Sequence, residues 1–205
     1  MERRFELSGQ ICLTAVGFAD EGTPELIEWM RMYRIKDVVH IGWANAGIPE
    51  KSTAFNDIEM KRMEDAGFNV CGLSMDDDVR ERLRNADAVY LNGGNPAILR
   101  YWLRNTSCDN ALRNLHKLGI PIIGASAGAI VLGSGSLSLT SRFAAKPKWG
   151  PRISSEQKGL GFVPEGIIPH HSREKFPEWM IRLAAHKMGV PDLTFIKNGD
   201  MVCTE

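Results

Sequence analysis

"IPIIGASAGAIVLG", residues 120–133, runs an apolar stretch into Gly-x-Ser-x-Gly and out into a second apolar stretch. Read as a strand that turns abruptly into a helix, it points to parallel βα units. A serine at the tip of so sharp a bend takes a strained backbone conformation, and small residues two places before and after it avoid clashes. Gly124 and Gly128 fill those places, and Ala125, Ala127 and Ala129 add little bulk. Two roles for Ser126 follow. It is either an exposed nucleophile at the first turn of the helix or only the helix N-cap, a position serine favours. In the first case the helix N-terminus favours developing negative charge, and the Ala127 N–H is one oxyanion donor.

Outward from this stretch, short β-like runs alternate with helical ones. Upstream, "QICLTAVGF" reads as a strand and "TPELIEWMRMYR" as a helix, with Thr23 as N-cap and Pro24 at the first helical position. "DVVHIGWA" is a second strand, "STAFNDIEMKRMEDAG" a helix opened by Ser52 and closed by Gly67, and "FNVCGLS" a third strand. A short helix near "DVRERLRNA", a strand "AVYLN", and helices "PAILRYWLRN" and "CDNALRNLHKLG" lead to the strand "IPIIGA". The strands are continuous apolar runs, as expected where helices cover both faces of a sheet. The expected fold is a three-layer α/β/α sandwich with a mostly parallel sheet, in one domain spanning residues 1–205. In such sheets chemistry gathers beyond the carboxyl ends of the strands. Two loops stand there, "NGGNP" after residues 88–92 and "GASAGA" after residues 120–124.

Lys plus Arg and Asp plus Glu both total 25, so the formal net charge is zero and no global field draws the protein to nucleic acid or anionic lipid. A small or neutral partner is the expectation, with no nucleic acid and no membrane, and a homodimer is compatible with the chain. The start "MERRFELSGQICLTAV" has neither a signal-peptide apolar region nor a membrane span, which suggests a cytoplasmic protein. Cys12, Cys71, Cys108 and Cys203 form no C-x-x-C pair and read as buried or incidental thiols rather than as a metal or disulfide framework.

Gly93 and Gly94 let backbone approach a ligand closely, Asn95 suits a helix cap, and Pro96 suits N1. The Gly94 N–H is a candidate second oxyanion donor, although the same residues also make an ordinary strand-to-helix turn. A nucleophilic serine needs a base, and the base needs a group that fixes its tautomer. Of the five histidines, His40 lies in a strand, and His116 and His186 lie in amphipathic helices. His170 and His171 differ, because in "EGIIPHHSRE" they follow an apolar strand at its carboxyl end. Adjacent residues of extended chain point to opposite sides, so only one of the two faces Ser126 readily, and the other is structural or substrate-facing. For the acid, "LTFIKNGDMV" offers Asp200 after a strand, although Asn198, Gly199 and Asp200 also make a typical turn.

With Ser126, His170 and Asp200 in that order, the chain resembles the serine peptidase family of dipeptidase E (alpha-aspartyl dipeptidase) and cyanophycinase. The resemblance runs through "NADAVYLNGGNPAILRYW", "GIPIIGASAGAIVL", "GFVPEGIIPHH" and "PDLTFIKNGDM". It implies a class I glutamine amidotransferase-like sandwich in which Ser126 is the nucleophile, His170 the base, Asp200 the triad acid, and Gly94 and Ala127 the oxyanion amides. It implies hydrolysis of small peptides, such as dipeptides with N-terminal aspartate, through an acyl-enzyme and without a metal or organic cofactor. Asn95, His171 and Arg173 are then expected at the substrate, and Arg142 and Arg152 are further cations near the site in sequence. Two other functions share these features. An α/β-hydrolase-type esterase would take its acid from Glu156 or Glu165, but the chain is short and has no HGGG-type loop. A non-catalytic binding domain could keep the same sandwich without turnover.

Overall fold

In the computed structural model, which describes residues 9–19, 24–46, 52–137, 158–171, 177–190 and 192–204, the apolar runs become strands. They are Ile11–Thr14 (β1), Asp37–Ile41 (β2), Asn69–Gly72 (β3), Ala88–Leu91 (β4) and Ile122–Ala125 (β5). Three more follow at Gly166–Pro169 (β6), Leu193–Ile196 (β7) and Met201–Thr204 (β8). Between them lie helices Pro24–Met32 (α1), Ser52–Asp65 (α2), Val79–Leu83 (α3) and Pro96–Asn105 (α4). Cys108–Lys117 (α5), Ala127–Leu132 (α6) and Glu178–Lys187 (α7) complete them. Six strands form one sheet in the order β3-β2-β4-β5-β1-β8, in which only β8 runs antiparallel to its neighbour. The fold is thus the mostly parallel α/β sandwich expected. β6 and β7 pair apart from it as a parallel two-stranded sheet.

The two sheet faces divide by the period of two that strands impose. Ile11, Leu13, Val39, Ile41, Val89, Leu91 and Ile122 join α4, α5 and α6 side chains in one core. Cys12, Val38, Ala88, Tyr90 and Ile123 join Leu26, Trp29 and Met30 of α1 and Met63 of α2 in the other. Strand β3 departs from the continuous-burial expectation: as an edge strand it leaves Asn69, Cys71 and Gly72 exposed. Local signals decided the helix ends. Asp78 caps α3 through Arg80 N–H and Glu81 N–H. Gly67, at φ +96°, follows α2 as expected of a helix terminator. Thr23 lies outside the described residues.

Two features join residues far apart in sequence. Glu59 is fully buried, accepting from the Tyr90 hydroxyl at 2.9 Å and standing 3.2 Å from His40 Nε2. Burial, with that carboxylate beside it, pushes the Tyr90 phenol well above its ordinary range. Cys12 and Cys203 stand opposite each other in the β1–β8 register as free thiols, sulfurs 2.6 Å apart. Cys12 and Cys108 are buried, and Cys71 and Cys203 are exposed. Among the described residues no helix is long and apolar enough to cross a membrane.

Candidate active site

Ser126 takes φ +49° and ψ −102°, a conformation that costs a non-glycine residue about 1–3 kcal/mol. It is held there from three sides. The Ser126 N–H donates to Thr14 O at 2.9 Å, the Ile130 N–H to Ser126 O at 3.0 Å, and the Gly128 N–H to Asn92 O at 3.1 Å. The flanking glycines are required by space. A Cβ at Gly124 would lie 2.7 Å from Gly128 C, and one at Gly128 would lie 2.3 Å from Leu91 O. The side chain makes no cap hydrogen bond, so Ser126 occupies the N-cap position without capping. Its Oγ instead lies 2.9 Å from His170 Nε2.

His170 follows β6, itself in the left-handed region at φ +57°. The parallel pairing of Pro169 with Ile196, continued by the His171 N–H donating to Ile196 O at 3.1 Å, sets the residues after β7 beside the imidazole. Asn198 is the one that reaches it, with Oδ1 2.7 Å from His170 Nδ1. A carboxamide oxygen only accepts, so Nδ1 carries the proton and, in the neutral ring, Nε2 is left to accept from the serine hydroxyl. Asp200, the acid expected from the sequence, does not hold His170. Its N–H donates to Lys197 O at 3.1 Å, closing the turn around Gly199 (φ +89°), and its side chain is exposed with no hydrogen bond among the described residues. The turn reverses the chain into β8, so the residue before the reversal, not the one after it, meets the imidazole.

The N–H groups of Gly94 and Ala127, the two amides expected from the sequence, donate to no other group among the described residues. Gly93 lies against the serine, since a Cβ there would be 3.4 Å from Ser126 Cβ. Both loops, like His170 and Asn198, stand at carboxyl ends of parallel strands, where side chains from different βα units converge.

Of the three residues expected at the substrate, Asn95 and His171 have other partners in the structure and Arg173 lies outside the described residues. Asn95 is 4% exposed, with Oδ1 accepting from the Ala97 N–H at 2.9 Å and the Ile98 N–H at 3.3 Å. It is the buried cap of α4. His171 turns away from Ser126, its ring edge-on to Phe195 at 4.7 Å between centroids and its Nε2 3.5 Å from Glu178 Oε1. It packs α7 onto the small sheet. Arg173, with Arg142, Arg152 and Glu156, lies outside the described residues. Glu165 is at the opposite end of β6 from His170, which does not suit it to an esterase triad. Asn198 was hidden in a Lys-Asn-Gly stretch that reads as a turn, and no local signal separates that turn from a ligand to histidine.

The model of peptidase family S51 matches residues 27–205. A peptidase E of Streptomyces coelicolor is 33% identical over 109 residues, 53% of this chain and 42% of that protein. The Drosophila melanogaster protein named "Probable alpha-aspartyl dipeptidase" is 26% identical over 156 residues, 76% of this chain and 60% of that protein. The matched chain therefore spans about half the length of these curated relatives. The structure of a peptidase from an acI-B1 actinobacterium superposes with a TM-score of 0.68 at 22% identity, covering 96% of this chain and 83% of that one. That likeness concerns the fold.

Proposed function

Because the chain belongs to peptidase family S51, we propose that it is a serine peptidase of small peptides in which Ser126 is the nucleophile and His170 the general base. The observation that carries this reading is the 2.9 Å approach of Ser126 Oγ to His170 Nε2 from a strained elbow. Ser126 Oγ attacks the scissile carbonyl as Nε2 takes its proton. The imidazolium then returns that proton to the leaving amine, and water hydrolyses the acyl-enzyme by the same route. The amides of Gly94 and Ala127 stabilise the tetrahedral oxyanion, each donor contributing roughly 3 kcal/mol. Dipeptides with N-terminal aspartate are the substrate class to try first, since one relative carries the name alpha-aspartyl dipeptidase.

Labelling with a fluorophosphonate, followed by peptide mass spectrometry, tests the assignment. The adduct is expected on the peptide containing Ser126, in a protein that also turns over at least one member of an Asp-X, Glu-X and β-aspartyl dipeptide panel. An unlabelled serine in folded protein would remove the reading.

In this mechanism Asn198, in place of Asp200, orients the base. An amide fixes the tautomer as a carboxylate does but places no negative charge beside the imidazolium. Asn198→Ala is expected to lower kcat roughly 10- to 100-fold, part of what a positioned base supplies. Asp200→Asn should stay close to the wild-type kcat. The opposite ranking in steady-state assays would return the orienting role to Asp200.

A further inference from the structure

Asn45 ends the short 3-10 turn Trp43–Asn45 that follows β2, and its side chain crosses to the loop after β4. There Nδ2 donates to Gly93 O at 3.1 Å. Since a carbonyl oxygen only accepts, the amide nitrogen must face it, and Oδ1 then turns to Gly94, where a Cβ would meet it at 2.4 Å. Gly93 C=O and Gly94 N–H belong to one planar trans peptide, in which the two bonds point in opposite directions. Holding the carbonyl therefore aims the N–H away from Asn45. Left to itself this peptide has little reason to keep one orientation. Turning it over changes ψ of Gly93 and φ of Gly94, and with no Cβ on either residue both rotations are nearly unhindered. Gly94 already sits at φ +138°.

The mount for Asn45 is rigid. The Asn95 N–H donates to Ala44 O at 2.9 Å and the Ala44 N–H to Asn92 Oδ1 at 3.3 Å, so the loops after β2 and β4 are tied together on both sides of the Gly93–Gly94 peptide. Trp43 Nε1 adds a bond to Leu73 O at 2.8 Å. We propose that Asn45 is a positioning residue, which clamps the Gly93–Gly94 peptide so that the Gly94 N–H stays available to the oxyanion. The proposal rests on the serine-peptidase reading above and assigns to a side chain of a different βα unit the order of one half of the oxyanion hole.

The test compares wild type with Asn45→Ala, Asn45→Asp and Ser126→Ala. For each it measures the second-order rate of fluorophosphonate labelling, kcat and KM on the dipeptide that wild type cleaves best, and the melting temperature. Asn45→Ala is expected to slow labelling and kcat together by roughly 10- to 100-fold with little change in KM, less than the outright loss of an oxyanion donor. Asn45→Asp keeps the shape but sets a carboxylate oxygen against Gly93 O, so it should slow both at least as much at an unchanged melting temperature. Wild-type labelling by Asn45→Ala, with none by Ser126→Ala, would overturn the clamp and leave the peptidase reading standing. A raised KM with a lowered melting temperature in both Asn45 variants would also overturn it, by assigning a structural role. Wild type that does not label would sink the peptidase reading and the clamp with it.

Discussion

Replacing His170 by alanine is expected to lower kcat/KM by roughly four to six orders of magnitude, and Ser126→Ala by a similar factor. In the proposed mechanism His170 Nε2, 2.9 Å from Ser126 Oγ, is the base, and Asn198 Oδ1 at 2.7 Å from Nδ1 selects the tautomer in which Nε2 of the neutral ring accepts. Without the imidazole the hydroxyl must lose its proton to water. Without the hydroxyl the imidazole has nothing to activate. The two act as one device, so the double variant should be no slower than either single one, with a residual rate set by the oxyanion amides and by binding. Steady-state kinetics on a cleaved dipeptide would show this. Losses that multiply in the double variant would mean that the two groups act independently and that the Ser–His contact is not the reacting pair.

Gly128→Ala should damage both stability and activity. On an ordinary helix this exchange is favourable, because glycine is about 1 kcal/mol worse than alanine in a helix interior. Here the new methyl would meet Leu91 O at 2.3 Å and Leu91 Cβ at 2.8 Å. A carbon beside a carbonyl oxygen settles near 3.3 Å or beyond, so α6 must move out by about 1 Å. Leu91 cannot yield, since it ends β4 between β2 and β5, paired with Ile41 and Gly124 and fully buried. Overpacking against fixed backbone costs typically about 1–3 kcal/mol, which exceeds the propensity gain. At roughly 2–4 °C per kcal/mol for a chain of this size, the melting temperature should fall by several degrees. The displaced α6 carries Ser126 and the Ala127 N–H with it, and a misplacement of about 1 Å is worth roughly a hundredfold in rate. Thermal unfolding with the labelling rate measures both, and a variant at least as stable and as fast as wild type would refute the tight seat of the elbow.

What was legible in the sequence was local. Helix α4 runs over the expected "PAILRYWLRN" because Asn95 and Pro96 write its start into adjacent residues. The small residues around Ser126 mark the elbow because their clashes would arise within five consecutive residues and against the adjoining strand. Strand ends were less legible. "DVVHIGWA" stops at Ile41, and its last residues coil into the turn that delivers Asn45. That "GIIP" ends beside a histidine, at a strand's carboxyl end, was also enough to single out the pair at 170–171.

The sequence by itself thus determined the βα order, the bend at Ser126 and the candidate base, all of which rest on contacts between near neighbours or on the period of a strand. Only the tertiary structure decided which of two residues in the turn after β7 touches His170, because the answer depends on how β6 and β7 align rather than on composition. It likewise turned His171 to Phe195, buried Asn95 and brought Cys12 to Cys203 across 191 residues of chain. For Asn198, His171 and the cysteine pair the physical reason is strand register. A hydrogen-bond register can slide by one residue with almost no change in local propensity, yet each slide exchanges which side chain faces the site.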